Sequence, residues 1–258
     1  MKNKKSLGQN WLTDRESLQT IADLASLEPT DTVLEIGPGL GYLTDKLLKT
    51  KARVVALEYD QDLIPKLQAK YAQAKSKPEI IEGDIREYDL SNLPAGYKIC
   101  ANIPYYLTAN LLRKLTDDSH KPNRAVLLVQ KEVAQKLAAQ SKRSQLNVLV
   151  NYWFQTSLGK EVPASCFVPA PKVDSQVVVL DLRELPIMPI EQWDRFVRVT
   201  KLAFSSPRKK LRANLAAGLS ISKEEADKLL HAADIDPNMR AEELDMDAWP
   251  KFVTAMEI

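Results

Sequence analysis

Four short stretches of this chain carry residue types whose spacing can do chemistry. The first is Glu35-Ile36-Gly37-Pro38-Gly39-Leu40-Gly41, which follows the apolar run Val33, Leu34. Glycines at alternate positions let the backbone turn sharply and approach a ligand closely, because no Cβ stands in the way. A helix starting just beyond, over 42–49, adds free N–H groups and the positive end of its dipole. The second is Glu58, at the tip of a predicted strand over 53–57, where a carboxylate holds ribose hydroxyls in doubly wound folds. The third is Gly83-Asp84-Ile85, just past a predicted strand over 79–82, with Asp84 placed to accept from an exocyclic amine. The fourth is Asn102-Ile103-Pro104-Tyr105, after a predicted strand over 97–101. Pro104 stiffens the backbone there, so the Asn102 amide and the Ile103 carbonyl can aim at one point while Tyr105 lies flat on an aromatic base. Two acceptors and a stacking face suit a planar amino group such as N6 of adenine.

These groups work together only if their strands lie side by side. Strands and helices alternate along the first part of the chain, which predicts an α/β fold with a mostly parallel sheet. Ligands in such sheets bind outside the carboxyl ends of the strands, so Gly37, Gly39, Gly41, Glu58 and Asp84 converge on one crevice. Thr13 and Glu16 form a capping box for a helix over 14–25, with helices also expected over 61–74, from Thr108 as cap to 115, and over 131–139. Further strands are expected over 124–130, 147–154 and 175–182. The last two lack a helix of normal length between them, which predicts an antiparallel edge. A proline-rich loop spans 163–174. Beyond the linker Leu185–Pro189 the pattern is helical, over 192–204, 209–216, 223–232 and 248–256. The expected division is thus a ligand-binding domain over 1–185 and a small all-helical domain over 190–258.

Bulk properties bound the rest. The chain has 258 residues, 45% hydrophobic and 27% charged, an ordinary globular composition that leaves room for a large domain and a small one. Two cysteines without a C-x-x-C and two isolated histidines exclude a disulfide framework and a cysteine-rich zinc site, so no metal is expected. Nothing resembles a signal peptide, and no apolar run reaches ~18 residues, so the expected compartment is the cytoplasm, with no membrane partner. Net charge is only +2, so nucleic-acid binding would have to come from clusters. Arg208, Lys209, Lys210 and Arg212 form one, Lys2, Lys4 and Lys5 a second, and Lys142 with Arg143 a third.

The whole chain resembles the small-subunit rRNA adenine N6,N6-dimethyltransferase family. The resemblance rests on Lys5–Leu12 (KSLGQNWL), on Glu35–Gly41, on Asn102–Tyr105, on Phe167–Ser175 (FVPAPKVDS) and on Phe204–Leu215 (FSSPRKKLRANL). The family usually has Phe where Trp11 stands. It implies a Rossmann-like class I methyltransferase using S-adenosylmethionine and releasing S-adenosylhomocysteine. Cofactor contacts are implied at Asn10, Leu12, Gly37, Glu58, Asp84 and Asn102, with Gln9, Gly39, Gly41 and Ile85 beside them. Tyr105 and Phe167 would sandwich the target adenine; from the charge clusters above, Lys4, Lys5, Arg208, Lys209, Lys210 and Arg212 are expected to meet RNA. The implied partner is the small ribosomal subunit or its 16S rRNA precursor, met by a monomer that dimethylates two adjacent adenines near the RNA 3′ end. Three alternatives stand beside this: a large-subunit rRNA methylase of the macrolide-resistance type, a nicotinamide-dependent oxidoreductase, and an assembly factor that only binds RNA. The oxidoreductase predicts G-x-G-x-x-G and leaves Asn102–Tyr105 unused.

Overall fold

A computed structural model describes residues 9–139 and 142–256. Its centre is a seven-stranded sheet of order β4-β3-β2-β5-β6-β9-β7. The strands are β2 (Thr32–Ile36), β3 (Arg53–Glu58), β4 (Glu79–Glu82), β5 (Lys98–Asn102), β6 (Arg124–Gln130), β7 (Phe154–Val162) and β9 (Ser175–Leu182). The pairs from β4 through β6 are parallel, and β6 pairs with β9 antiparallel. All five residues of β2 and residues 125–129 of β6 are buried; apart from Thr32 and Glu35 in β2 they are apolar, as suits strands covered on both faces. The order reverses between β2 and β5, and the crevice outside their carboxyl ends is the place such a sheet offers a ligand.

The chain enters through β1 (Trp11–Leu12), which pairs antiparallel with β8 (Phe167–Val168) in a separate small sheet. Helix α1 (Arg15–Leu24) follows. Asp14, not Thr13, caps it, its carboxylate accepting from the Ser17 amide at 2.8 Å. The Thr13 hydroxyl donates instead to the Cys166 carbonyl at 3.1 Å, so tertiary pairing has taken the expected cap residue. Leu18, Ile21, Ala22 and Ala25 pack with Leu43 and Leu47, at α2 (Thr44–Leu47), against Val33, Val54, Cys100, Val126 and Val177. Helices α3 (Ile64–Tyr71), α4 (Thr108–Asp117) and α5 (Lys131–Leu137) complete the alternation. Thr108 is the first residue of α4 and makes no side-chain cap; the turn Tyr105–Leu107 precedes it.

The structure corrects the reading of 147–154 as a strand. Helix α6 (Gln145–Trp153) stands there, with the Ser144 hydroxyl accepting from the Asn147 amide at 3.2 Å and the Asn147 side chain donating to the Lys136 and Leu137 carbonyls at 2.7 and 2.6 Å. A short apolar run does not reveal its own periodicity, and these polar anchors decide it. The strand expected there begins at Phe154, where the sequence turns polar.

Two compact units result. One comprises the chain to Gln135 with Gln155–Leu182; the other comprises Lys136–Phe154 with the chain from Arg183 onward. The second therefore takes in α6. It holds α7 (Trp193–Ala203), α8 (Leu211–Leu219), α9 (Lys223–Ala232) and α10 (Ala248–Ala255). Its core is aromatic, with Tyr152 edge-on to Trp193 and Phe196 and with Phe204 stacked on Trp249 at 5.9 Å. Arg143, read as a surface cation, is buried here, donating to the Leu244 carbonyl at 3.0 Å and paired with Asp245.

Candidate active site

At the end of β2 the chain turns through Gly37, Gly39 and Gly41, all at positive φ. Two of these glycines are required for different reasons. A Cβ on Gly39 would meet the Trp11 indole at 3.3 Å, so the β1 segment and the loop approach each other closely there. A Cβ on Gly41 would lie 2.5 Å from the Tyr71 hydroxyl. The Gly41 carbonyl accepts from Tyr71 Oη and Lys70 Nζ, each at 2.9 Å. Gly41 thus anchors the loop to α3 and is not part of the cavity wall.

Glu58, the last residue of β3, holds the loop from the other side. One carboxylate oxygen accepts from the Gly39 amide at 3.0 Å and the other from the Asp60 amide at 2.8 Å. The side chain is buried, which pushes its pKa up, while those amide bonds pull it back down. Each carboxylate oxygen has a second lone-pair direction, so Glu58 keeps acceptor capacity toward the cavity it lines.

One cavity in the first unit is lined by all four strand-end motifs. Gly37 and Gly39 come from the loop after β2, Glu58 from β3, Asp84 and Ile85 from the turn after β4, and Asn102, Ile103, Pro104 and Tyr105 from β5 and its turn. Gln9, Asn10 and Leu12 close it from the β1 segment, and Phe167 of β8 faces the same space. The β1 segment ties these walls together. Leu12 pairs with Phe167 in register. The Asn102 amide Nδ2 donates to the Asn10 carbonyl at 3.3 Å, leaving Oδ1 as the acceptor. Gln9 donates to the Asp60 carboxylate at 2.8 Å.

Other residues of the wall were not singled out from sequence. Asp60 has a local signal, since it lies two residues beyond Glu58 on the same strand tip. Arg86 has none. Its guanidinium grips Asp84 through Nε at 3.0 and 2.9 Å, which holds the Asp84 carboxyl below its usual range. Tyr59 and Tyr106, 55% and 57% exposed, stand at the cavity rim. Glu35, on β2 beneath the loop, is wholly buried, and its Oε2 has no partner among the described residues. Burial pushes its pKa up to about 8, with the nearby carboxylates Glu58 and Asp45 adding to the shift. Glu35 is therefore held protonated and uncharged near neutral pH beneath the glycine loop, and the charged acceptors of this wall are Glu58, Asp60 and Asp84.

The expected RNA-contact residues lie elsewhere. Lys4 and Lys5 fall outside the described residues. Arg208, Lys209 and Lys210, in the second unit, precede α8 and are exposed. Lys210 donates to Asn238 Oδ1 at 2.8 Å. Arg212 is half-buried and ion-paired with Asp227. Among the described residues no helix is long and apolar enough to cross a membrane, and no cluster of three or more candidate ligands could hold a metal ion.

Comparison with known proteins points the same way. Residues 1–257 match the family model described as ribosomal RNA adenine dimethylase. A Dehalococcoides mccartyi protein named ribosomal RNA small subunit methyltransferase A is 39% identical, over 98% of this chain and 88% of the relative. A Lactococcus lactis protein of the same name is 36% identical, over 98% and 90%. Among solved structures, a dimethyladenosine transferase from Plasmodium falciparum superposes with a TM-score of 0.80 at 26% identity, covering 93% of this chain and 95% of its own. The 23S rRNA methyltransferase ErmE shares the fold, at a TM-score of 0.79 and 24% identity, over 96% of this chain and all of its own.

Proposed function

The chain belongs to the ribosomal RNA adenine dimethylase family and is an enzyme that methylates rRNA adenine; from that premise we propose that it dimethylates N6 of two adjacent adenines near the 3′ end of small-subunit rRNA, with S-adenosylmethionine as donor. The observation that carries the reading is the single cavity in which Glu58, Asp84 and the Asn102–Tyr105 turn meet. The names of the relatives favour the small-subunit substrate over the large-subunit alternative.

The residues divide the work by position. Glu58 accepts from ribose hydroxyls and Asp84 from the adenine amine of the donor, while Gly37, Gly39, Asn10 and Leu12 pack along it. The donor supplies an activated methyl group on a sulfonium. Tyr105 and Phe167 grip the flipped target base; flipping costs a few kcal/mol, and each aromatic stack returns about 1–3 kcal/mol. In the first transfer Asn102 Oδ1 and the Ile103 carbonyl accept the two N6 hydrogens, and in the second one of them accepts the hydrogen that remains, which favours a pyramidal nitrogen with its lone pair free of the ring; after each transfer the methylated nitrogen releases one proton to solvent. Orientation of the two reactants is worth about 7–11 kcal/mol, so no strong base is required. The helical domain from residue 190 onward, with Arg208 and Lys209 exposed at the start of α8, meets RNA phosphates, and the protein works in the cytoplasm as a monomer on the small subunit or its precursor.

The test offers the purified protein methyl-labelled S-adenosylmethionine with either unmethylated small subunits or naked large-subunit RNA. Label in the small-subunit RNA is expected. Label only in the large-subunit RNA would move the assignment to the resistance-type alternative, and tight RNA binding without label would leave an assembly factor.

A further inference from the structure

Beside the active-site cavity lies a second cleft that the four motifs do not touch. It runs between the start of α1 and the helix after the glycine loop, and Arg15, Lys46 and Lys49 line it. Leu18 and Tyr42 line both this cleft and the active-site cavity. The cleft therefore adjoins the cavity, and Tyr42, 40% exposed, stands on the shared wall.

The three cations are not balanced locally. Arg15 and Lys49 are exposed and make no ion pair among the described residues; Lys46 reaches only the neutral amide of Gln19, at 3.2 Å. The nearby acids are all committed elsewhere. Asp45, in the cleft wall, is held by Lys70 and the Tyr71 hydroxyl, each at 2.8 Å. Asp14 caps α1 and Glu16 pairs with Lys160 at 2.6 Å. The Thr13 hydroxyl in the same wall is already spent on the Cys166 carbonyl. What remains is a concave surface on which the three cations outnumber the one carboxylate without a cationic partner, Asp14, and it adjoins the cavity assigned above to the target base.

We propose that this cleft binds backbone phosphates of the RNA strand flanking the target adenine, with Arg15, Lys46 and Lys49 as the phosphate contacts. A base turned into the cavity brings its own phosphate and its neighbour's to the rim, and cations on that rim set the strand's direction without reading its sequence. The three residues are spread over 35 positions of sequence: Arg15 stands apart, while Lys46 and Lys49 open the basic stretch that continues through Lys51 and Arg53. The inference rests on RNA being the substrate, as proposed above.

The test replaces all three cations by glutamine (Arg15→Gln, Lys46→Gln, Lys49→Gln) and compares full-length proteins by fluorescence anisotropy. The probe is a labelled hairpin from the 3′ end of small-subunit rRNA, titrated across a range of potassium chloride. Each lost phosphate contact flattens the log–log salt slope by about 0.7–0.9, so the triple variant should be shallower by about 2–3 and bind about tenfold or more weakly at low salt. Affinity for S-adenosylhomocysteine, measured by calorimetry, should stay within about twofold. A charge-preserving variant (Arg15→Lys, Lys46→Arg, Lys49→Arg) should keep the wild-type slope. An unchanged slope in the glutamine variant, or parallel loss of S-adenosylhomocysteine binding, overturns the assignment of the cleft while leaving the RNA substrate intact. A wild-type protein without salt-dependent RNA binding would overturn the substrate reading and this inference with it.

Discussion

The hydroxyls of Tyr105 and Ser175 are hydrogen-bonded at 2.9 Å. Ser175 is the fully buried first residue of β9, and Tyr105 opens the turn after β5. One fixed side chain therefore anchors the tip of the ring assigned to the target base. Ser175→Ala should lower kcat about 2- to 10-fold, the worth of one ordinary hydrogen bond, and leave S-adenosylmethionine affinity unchanged. Tyr105→Phe should do the same, and the double variant should lose no more than either alone. Additive losses in that cycle, measured by single-turnover methylation, would separate the two residues. Tyr105→Ala removes the stacking face itself and should lose about 10- to 100-fold while still binding cofactor.

Glu58 is central to cofactor affinity because its carboxylate both braces the Gly39 amide and faces the cavity. Glu58→Gln substitutes a donor for one of its acceptors. A hydrogen bond to a charged group is worth about 1.5–3 kcal/mol, so S-adenosylhomocysteine should bind roughly tenfold to a hundredfold more weakly by calorimetry. Undiminished affinity would remove Glu58 from the cofactor site.

The glycines of the loop should separate by function. Gly41→Ala drives a methyl group to within 2.5 Å of the Tyr71 hydroxyl at a φ of +74, whereas nothing stands within 4 Å of a Cβ on Gly37, at φ +69. Backbone strain of about 1–3 kcal/mol applies to both, and the clash only to Gly41. Thermal denaturation should therefore show Gly41→Ala to be less stable than Gly37→Ala.

Glu35 gives the protein a pH-dependent stability of predictable sign. Its ordinary pKa is 4.5, and burial raises it to about 8 in the folded chain. Between those values the native state keeps a proton that the unfolded state has released, so this group makes stability fall as pH rises through the window and then level off. The contribution is on the order of a few kcal/mol. Glu35→Gln, which cannot ionise, should lose this component. Its Tm relative to wild type should rise from pH 5 to pH 8; a difference independent of pH would contradict a buried neutral acid at this position.

Much of this arrangement was legible in the sequence because a parallel sheet converts chain order into spatial order. Runs such as Arg53–Glu58 and Arg124–Gln130 declare themselves by unbroken apolar character, and their carboxyl ends must meet at the switch point between β2 and β5. What lay beyond that rule was tertiary. Nothing local marks Trp11–Leu12 as a strand, because its partner is Phe167–Val168. The same pairing diverted Thr13 from capping α1 and left that role to Asp14. Helix α6 was hidden by an apolar run too short to show a period, and its anchors on the carbonyls of α5 exist only once the chain is folded. Ser175 acts through its contact to Tyr105, 70 positions away, which no spacing announces, and the role of Arg86 is set by its grip on Asp84, which the residue type alone does not declare.

Nucleoside mass spectrometry on small-subunit RNA tests the central claim most directly. Unmethylated small subunits would be incubated with the protein and S-adenosylmethionine, and the RNA cut into defined fragments and digested. The account predicts N6,N6-dimethyladenosine at two adjacent adenines near the 3′ end, formed about 10- to 100-fold more slowly when Tyr105→Ala replaces the wild type. Methylation on another base or at another atom of adenine, or dimethyladenosine that survives the loss of Tyr105 undiminished, would contradict it.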